Sequence, residues 1–148
     1  PDPVMFLEYW RNPEATRDKF VGEWLLTGDM GCVDADGYIR FVGRDDDVIS
    51  SAGYRIGPGE IEDCLIAHPA IRMAGVIGKP DDQRGQIVKA FVVLADGYAQ
   101  TAELESDLKD FVKTRLAAHE YPREIAFLDQ LPMTTTGKVV RRALRDLA

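Results

Sequence analysis

Two short polar segments combine hydroxyl, glycine and charged residues in a way that suits a phosphate, carboxylate or ribose group. Residues 134–138 have the sequence Thr-Thr-Thr-Gly-Lys, and residues 27–29 have the sequence Thr-Gly-Asp. Hydroxyl and ammonium groups bind phosphate or carboxylate oxygens, and a glycine lets a ligand approach the backbone closely. An acidic side chain at the end of a strand can accept hydrogen bonds from ribose hydroxyls. Each segment alone is also compatible with a plain turn, stabilised by threonine hydroxyls in the first and by the aspartate in the second.

Known nucleotide-binding motifs do not account for these segments. A P-loop would need glycine at the position of Pro132 and serine or threonine at the position of Val139. Residues 53–60 contain three glycines, but without the spacing of a dinucleotide-binding loop. Three consecutive aspartates at 45–47 occur without a second acidic cluster, and they would repel one another if they were buried. We therefore expect a solvated connector there, and no metal site.

Composition and charge describe a globular chain with no preference for nucleic acid. The 148 residues are 45% apolar and 29% charged, and the formal net charge is −7. This acidic balance argues against binding to a phosphate backbone by the molecule as a whole. No apolar run approaches the roughly 18 residues of a membrane span, so we expect neither a nucleic acid nor a membrane as a partner.

The cysteines and histidines stand in no disulfide or metal-binding pattern. Cys32 and Cys64 have no partner motif, which favours free thiols in a reducing compartment such as the cytoplasm or the mitochondrial matrix. His68 and His119 are isolated histidines beside predicted helix ends, a position more typical of helix caps than of catalysts or ligands.

Turn and capping signals divide the chain into two unequal parts. In residues 1–43, Asn-Pro at 12–13 predicts a short helix to about Phe20, and Asp-Ala-Asp-Gly at 34–37 predicts a hairpin. This part is too short for a core of its own and suggests a piece of a longer protein. From about residue 47 the elements follow the order ββαββαβα, which predicts a compact α+β domain of about 100 residues. The expected elements are a hairpin at 48–56, a helix at 58–67, strands at 73–78 and 87–95, a helix at 101–118, a strand at 124–128 and a helix at 140–147.

Taken in order, several segments resemble the C-terminal signature of the adenylate-forming enzymes, the group of acyl-CoA synthetases, luciferases and peptide-synthetase adenylation domains. The segments that carry the resemblance are 27–29, 43–49, 53–56, 60–62 and 132–138. Within that group, residues 50–58 (Ser-Ser-Ala-Gly-Tyr-Arg-Ile-Gly-Pro) and 120–123 (Glu-Tyr-Pro-Arg) are similar to the AMP-forming acetyl- and medium-chain acyl-CoA synthetases. Each motif is weak alone, but the ordered set is specific and covers nearly the whole chain.

The resemblance implies a two-step ligase reaction that uses ATP, Mg²⁺ and coenzyme A. A carboxylate attacks the α-phosphate of ATP to give an acyl-adenylate and pyrophosphate, and the thiol of coenzyme A then displaces AMP. It also implies a small lid domain that rotates against a large N-terminal domain between the two steps. Residues 1–43 would be the trailing strands of the large domain, 44–46 the hinge and 47–148 the lid. The upstream domain would supply the acid pocket, the phosphate loop and the metal-binding glutamate, so this chain alone would not catalyse the overall reaction.

Four residues match positions that serve the first step or the rotation in this family. The resemblance implies that Asp29 binds the ribose hydroxyls of ATP and that Arg44 holds the ribose and phosphate region. Lys138 would be the catalytic residue, because its ammonium would reach the carboxylate and the α-phosphate as charge develops there. Asp46 would be the hinge residue whose backbone angles change when the lid rotates.

Five further residues match positions that serve the second step. Gly53 and Tyr54 would line the path of the pantetheine arm of coenzyme A, where a side chain at position 53 would obstruct the thiol. Arg55 would face the active site once the lid has turned. Arg84 and Tyr121 match positions that contact the nucleotide end of coenzyme A in the medium-chain enzymes.

Two departures from the family pattern and two other interpretations stand beside this assignment. Ala52 replaces a serine that is common before the glycine, and Ser50 stands where many relatives carry a basic residue. The chain could instead come from another adenylating ligase of the peptide-synthetase type, or be a non-catalytic module that binds coenzyme A or a nucleotide. Residues 51–55 favour an acyl-CoA synthetase for a short- or medium-chain acid over the peptide-synthetase type, and the upstream reading frame decides between a synthetase and a free-standing module.

Overall fold

A five-stranded sheet organises the larger part of the chain, and two separate two-stranded hairpins precede it. The computed structural model describes residues 4–148. The helices are α1 (Pro13–Arg17), α2 (Pro58–Ile66), α3 (Ala102–Arg115) and α4 (Arg141–Arg145). The strands are β1 (Phe20–Val21), β2 (Trp24–Leu25), β3 (Asp29–Val33), β4 (Ile39–Arg44), β5 (Ile49–Ser51), β6 (Tyr54–Ile56), β7 (Ile71–Asp81), β8 (Gly85–Leu94) and β9 (Glu124–Phe127). Among the residues described, no helix combines the length and the apolar character that crossing a bilayer requires.

Helix α1 forms where its capping signal predicts it. The side chain of Asn12 accepts a hydrogen bond from the backbone N–H of Ala15 at 3.1 Å, and Pro13 occupies the first helical position. The helix ends at Arg17, earlier than predicted, because the β1–β2 hairpin begins at Phe20. That hairpin was not expected, since strands of two residues are too short to show an alternating pattern.

The β3–β4 hairpin confirms the turn expected at 34–37. The carboxylate of Asp34 accepts hydrogen bonds from the backbone N–H groups of Asp36 at 3.0 Å and Tyr38 at 2.9 Å. Aspartate side chains stabilise turns in this way by bonding the backbone that follows them. The open end of the hairpin brings the beginning of β3 beside the end of β4.

Strand β8 is the centre of the five-stranded sheet. Antiparallel β7 covers one of its edges, from Gly85 to Leu94. Strands β5 and β9 share the other edge end to end, because Ser51 of β5 pairs with Gly85 while β9 pairs in parallel with residues 89–92. Strand β6 pairs with β5. The β5–β6 turn and the segment that leads into β9 therefore follow one another along one edge of β8.

Helices α2 and α3 pack on one face of the sheet, and α4 packs on the other. Successive side chains of β7 point to opposite faces of the sheet. Val76 lies in the core beneath α2 and α3, and Ile77 lies in a second core with Leu144 of α4. A Cβ atom at Gly75 would lie 2.8 Å from Leu144, so the missing side chain lets α4 approach the sheet closely. Val139 packs against this second core, and its packing places the polar segment 134–138 on the same face of the sheet as α4.

From β5 onward the elements follow the predicted ββαββαβα order. Strands β7 and β8 are longer than predicted, so the loop expected between Lys79 and Gly85 shrinks to residues 82–84. Pro80 lies within β7 and pairs with Gln86 there; an edge strand tolerates proline because one row of its N–H groups has no strand partner.

The expectation of a fully solvated connector at residues 45–47 is wrong for its last residue. The side chains of Asp45 and Asp46 are 67% and 69% exposed, but that of Asp47 is only 13% exposed. Asp47 pairs with Arg141 at 3.2 Å and with Arg145 at 2.6 Å. These two cations of α4 offset the cost of withdrawing the carboxylate from water.

Candidate functional site

Asp29 and Arg44 lie directly opposite each other at the open end of the β3–β4 hairpin. Asp29 Oδ1 lies 3.7 Å from Arg44 Nη1, and both side chains are about half exposed. The hydroxyl of Thr27 accepts a hydrogen bond from the backbone N–H of Asp29 at 3.1 Å. Within residues 4–148 the Asp29 carboxylate accepts no backbone N–H, so its oxygens face an ion-pair partner and solvent. This differs from the alternative in which the aspartate stabilises its own turn.

The guanidinium of Arg44 is held from its other side by Asp46. Arg44 Nε donates to Asp46 Oδ1 at 3.3 Å, and this bond raises the pKa of the guanidinium above its ordinary value. The backbone N–H of Asp45 donates to the carbonyl of Gly28 at 2.9 Å, which ties the connector to the start of β3. A cavity of about 390 Å³ lies here, lined by residues 25–30 and Asp45. The Asp29 carboxylate lines this cavity and pairs with the Arg44 cation, an arrangement that suits a ligand with both hydroxyls and phosphates.

The β5–β6 turn presents Tyr54 to solvent. Ala52 and Gly53 have φ of 49° and 86°, as the two central residues of a type I′ hairpin turn require. A Cβ atom at Gly53 would meet nothing within 4 Å, so the outer side of the turn is open. The ring of Tyr54 stacks on the imidazole of His119, with centroids 3.9 Å apart and planes inclined by 15°.

Arg84 and Tyr121 lie along the same edge of the sheet as this turn. The carbonyl of Arg84 accepts a hydrogen bond from the backbone N–H of Ala52 at 2.9 Å. The ring of Tyr121 has the Lys113 ammonium 5.6 Å and the Arg123 guanidinium 5.2 Å from its centroid. Aromatic rings beside cations suit a ligand with a planar ring and phosphate groups.

Lys138 ends a tight loop on the face of the sheet that α4 covers, since the next residue, Val139, borders the core beneath α4. Met133 and Val139 form an antiparallel bridge, and the hydroxyl of Thr134 accepts a hydrogen bond from the Lys138 backbone N–H at 3.0 Å. Gly137, with φ of 80°, allows the chain to reverse there. The Lys138 side chain is exposed, and its ammonium makes no hydrogen bond or ion pair within residues 4–148. The loop is therefore both threonine-stabilised and able to offer a cation to an anionic ligand.

The predicted site residues fall into separate groups in the structure. The first group is Asp29, Arg44 and Asp46; the second is Gly53, Tyr54, Arg84 and Tyr121; Arg55 and Lys138 belong to neither. Arg55 donates to Asp45 at 3.4 Å, which links β6 to the connector beside the first group. Within the described part of the chain, no polar contact joins the side chain of Lys138 to either group.

Arg141 is a central residue that the sequence did not reveal. Its guanidinium donates to both oxygens of Glu62 at 2.6 and 2.8 Å, to Asp47 at 3.2 Å and to the carbonyl of Val76 at 3.3 Å. Arg145 extends this network, because its guanidinium donates to the Asp47 carboxylate at 2.6 Å and to the backbone carbonyl of Asp46 at 2.9 Å. The residue that follows the predicted hinge is thus tied to α2, β7 and α4.

The side chains of residues 4–148 do not form a donor set that suits a bound metal. Among residues 4–148 there is no group of three or more His, Cys, Asp or Glu side chains that could hold a metal ion. Cys32 and Cys64 are free thiols, and partial burial raises the pKa of the Cys64 thiol. A Mg²⁺ ion would need its protein donors from outside the described residues.

Comparison with known proteins assigns the chain to a family. Residues 60–138 match the AMP-binding enzyme C-terminal domain. The chain belongs to this family. It is 49% identical over 144 residues, 97% of its length, to the acetyl-coenzyme A synthetase of Bacillus subtilis (strain 168), of which it covers 25%. It is 48% identical over 143 residues, 95% of its length, to the mitochondrial acyl-coenzyme A synthetase ACSM4 of Homo sapiens, of which it also covers 25%. The chain thus spans about a quarter of each of these relatives.

A solved structure of the anthranilate CoA ligase AuaEII in complex with anthranoyl-AMP shares the fold, with a TM-score of 0.85 and 43% identity over 96% of this chain and 28% of that one. The expected family and α+β fold class are therefore confirmed. The segment that matches the AMP-binding enzyme C-terminal domain includes Arg84, His119 and Tyr121 and ends at Lys138. The functional roles of the individual site residues remain predictions.

Proposed function

We propose that this chain is the C-terminal portion of an AMP-forming acyl-CoA synthetase, an acid–thiol ligase. The whole protein joins a carboxylic acid to coenzyme A while ATP is cleaved to AMP and pyrophosphate. The observation that carries the proposal is the 49% identity with an acetyl-coenzyme A synthetase over 97% of the chain. Two cationic side chains are consistent with anionic substrates. Arg44 is oriented by ion pairs with Asp29 and Asp46, and Lys138 has an exposed ammonium group.

Residues 1–43 are proposed to belong to the large upstream domain of the same protein. The support is a concentration of exposed large apolar side chains in the first part of the chain. They are Val4, Leu7, Tyr9, Trp10, Val21, Trp24, Leu26, Val33, Tyr38, Ile39 and Phe41. A concentration of exposed large apolar side chains is typical of a surface that another domain covers. We assign the hinge to 44–46 and the lid to 47–148, because the buried cores contain residues from Ile49 onward.

In the first step, three side chains of this chain would act on ATP and the acid. The Asp29 carboxylate accepts hydrogen bonds from the ribose hydroxyls, and Arg44, oriented by Asp46, holds the ribose and phosphate region. The Lys138 ammonium lies beside the carboxylate and the α-phosphate and stabilises the negative charge that develops during attack. In this proposal the lid carries Lys138 to the nucleotide, and the hinge at Asp46 allows that movement.

In the second step, the edge of β8 would bind coenzyme A. Arg84 and Tyr121 hold the nucleotide end, and Gly53 and Tyr54 line the path of the pantetheine arm toward the acyl-adenylate. The open space beside Gly53 supports this assignment, because a narrow thiol arm needs an unobstructed turn. Arg55 turns toward the active site when the lid rotates about Asp46.

The acid is proposed to be short or medium in chain length. The support is the similarity to an acetyl-coenzyme A synthetase and to members of the mitochondrial ACSM group. Mg²⁺ accompanies ATP and is held by the upstream domain, since the described residues offer no cluster of metal ligands. The cytoplasm and the mitochondrial matrix are both proposed as compartments, and the two free thiols agree with either.

The proposal is tested with the full-length protein by measuring release of AMP that depends on coenzyme A, over straight-chain acids from acetate to dodecanoate. We expect AMP release with an optimum among the short or medium chains. A folded protein that binds coenzyme A but releases no AMP with any acid would contradict the proposal and favour a non-catalytic binding module. AMP release with amino acids and a carrier-protein thiol in place of coenzyme A would favour the peptide-synthetase type.

A further inference from the structure

Two segments that are distant in sequence meet along one edge of β8. The backbone N–H of Ala52 donates to the carbonyl of Arg84, just before β8, at 2.9 Å. The backbone N–H of Arg123 donates to the carbonyl of Val88, further along β8, also at 2.9 Å. Four residues of an extended strand span about 13 Å. The β5–β6 turn and the segment that enters β9 are therefore neighbours, and aromatic side chains bridge the short gap between them.

The bridge is the ring stack between Tyr54 and His119. Their centroids are 3.9 Å apart and their planes are inclined by only 15°. Neither side chain makes a hydrogen bond within residues 4–148, so the ring contact is what orients the Tyr54 side chain. The Tyr54 side chain projects from a turn that is open on its outer side, and Tyr54 is still 52% exposed. Without its partner, the phenol would be free to change rotamer.

We propose that His119 is a positioning residue for the thioester-forming step. Its imidazole holds the phenol of Tyr54 in the orientation that lines the pantetheine path, and it ties the turn to the segment that carries Tyr121. This inference rests on the proposed function and adds a residue to it. This arrangement favours binding of coenzyme A, because a Tyr54 side chain that is already ordered loses less conformational entropy when the ligand binds.

The size of the effect follows from the contact. Stacked aromatic pairs have a modest stabilising energy beyond the area that they bury, equivalent to about a three- to tenfold change in an equilibrium constant. Loss of the His119 ring should therefore raise the KM for coenzyme A about three- to tenfold. The adenylate-forming step should be unchanged, because the stack lies on the edge of the sheet and not on the face that holds Lys138.

The test uses the full-length protein with His119→Ala, His119→Phe and His119→Gln. The two steps are measured separately, by exchange of pyrophosphate into ATP and by thioester formation from supplied acyl-adenylate. We expect His119→Ala and His119→Gln to raise the KM for coenzyme A with unchanged pyrophosphate exchange, whereas His119→Phe restores a value near that of the wild type. Gln keeps hydrogen-bonding capacity without an aromatic ring, so it is the matched control for stacking.

A double-mutant cycle with Tyr54→Ala completes the test. If His119 acts through Tyr54, then His119→Ala has no further effect in the Tyr54→Ala background. Additive effects, an unchanged KM for coenzyme A in His119→Ala, or equal recovery by Gln and Phe would each overturn the inference while the wild-type activity stands. A wild-type protein that forms neither acyl-adenylate nor thioester would instead overturn the proposed function, and the inference with it.

Discussion

Arg141 and Glu62 form a two-bond ion pair, with bonds of 2.6 and 2.8 Å, although 79 residues separate them in the sequence. The same Glu62 accepts the backbone N–H of Val76 at 2.8 Å, and the same Arg141 pairs with Asp47. The Glu62 and Asp47 side chains are only 14% and 13% exposed. The pair therefore joins α2, β7, α4 and the end of the connector through charges that are largely withdrawn from water.

Removing Arg141 should destabilise the lid strongly. We expect Arg141→Met to lower the free energy of unfolding by about 3 kcal/mol, because it leaves the poorly solvated Glu62 carboxylate without a cation and leaves Asp47 with Arg145 alone. Arg142→Met is the matched control; its side chain is exposed on the same helix, and it should change stability by less than about 0.5 kcal/mol. Denaturant unfolding of the two variants measures the difference. Equal unfolding midpoints would show that the network does not hold the lid together.

Local signals predicted much of the fold because the groups involved lie within a few residues of one another. Asn12 caps α1, Asp34 closes its turn and Thr101 caps α3 by accepting from the Leu104 backbone N–H at 3.1 Å. Each of these is a side chain that bonds backbone groups two to four residues away. Sequence spacing alone is therefore enough to find them.

The parts that were missed depend on the topology of the sheet. The partners of Asp47 lie more than 90 residues downstream, so its triplet of carboxylates had the pattern of a solvated connector. His119 had the pattern of a helix-end histidine, and its stack with Tyr54 exists only because β5 and β9 share an edge of β8. A single sequence carries no signal for contacts of this kind before the order of the strands is known.

Glu124 makes stability depend on pH on the acid side. Hydrogen bonding from the Lys79 ammonium at 2.9 Å lowers the pKa of the Glu124 carboxyl below its ordinary 4.5, and Lys89 contributes to the same shift. A carboxyl with a depressed pKa stabilises the fold above its unfolded-state pKa, and this contribution is lost as the pH falls through its folded-state pKa.

Glu124→Gln should therefore be less stable than the wild type at pH 7, and the difference should shrink and disappear as the pH falls below 4.5 and through the lowered folded-state pKa of Glu124. The pair is partly exposed, with 39% exposure for the Glu124 side chain, so the expected difference at pH 7 is about 1 kcal/mol or less. Thermal or denaturant unfolding between pH 3 and pH 7 measures it. A difference that is constant across this range would mean that charge on Glu124 does not contribute.

Lys138 should act on the first step alone. In the full-length protein, we expect Lys138→Ala to slow formation of acyl-adenylate by about 100- to 1000-fold, the usual effect of removing one group that stabilises developing charge. Thioester formation from supplied acyl-adenylate should be largely spared. Arg142→Ala, which removes a nearby exposed cation, is the control for general loss of positive charge. Equal loss of both steps in Lys138→Ala would contradict the assigned role.

Gly53 offers the sharpest test of the path assigned to coenzyme A. In the full-length protein, Gly53→Leu places a side chain into space that is open in the structure, so we expect slow thioester formation and unchanged formation of acyl-adenylate. Any residue other than glycine at a φ of 86° also strains the turn, by roughly 1–2 kcal/mol. Gly97→Leu controls for that strain, since Gly97 has a φ of 88° and equally open surroundings. If both variants slow thioester formation to the same extent, the effect is backbone strain and the path of the pantetheine arm lies elsewhere.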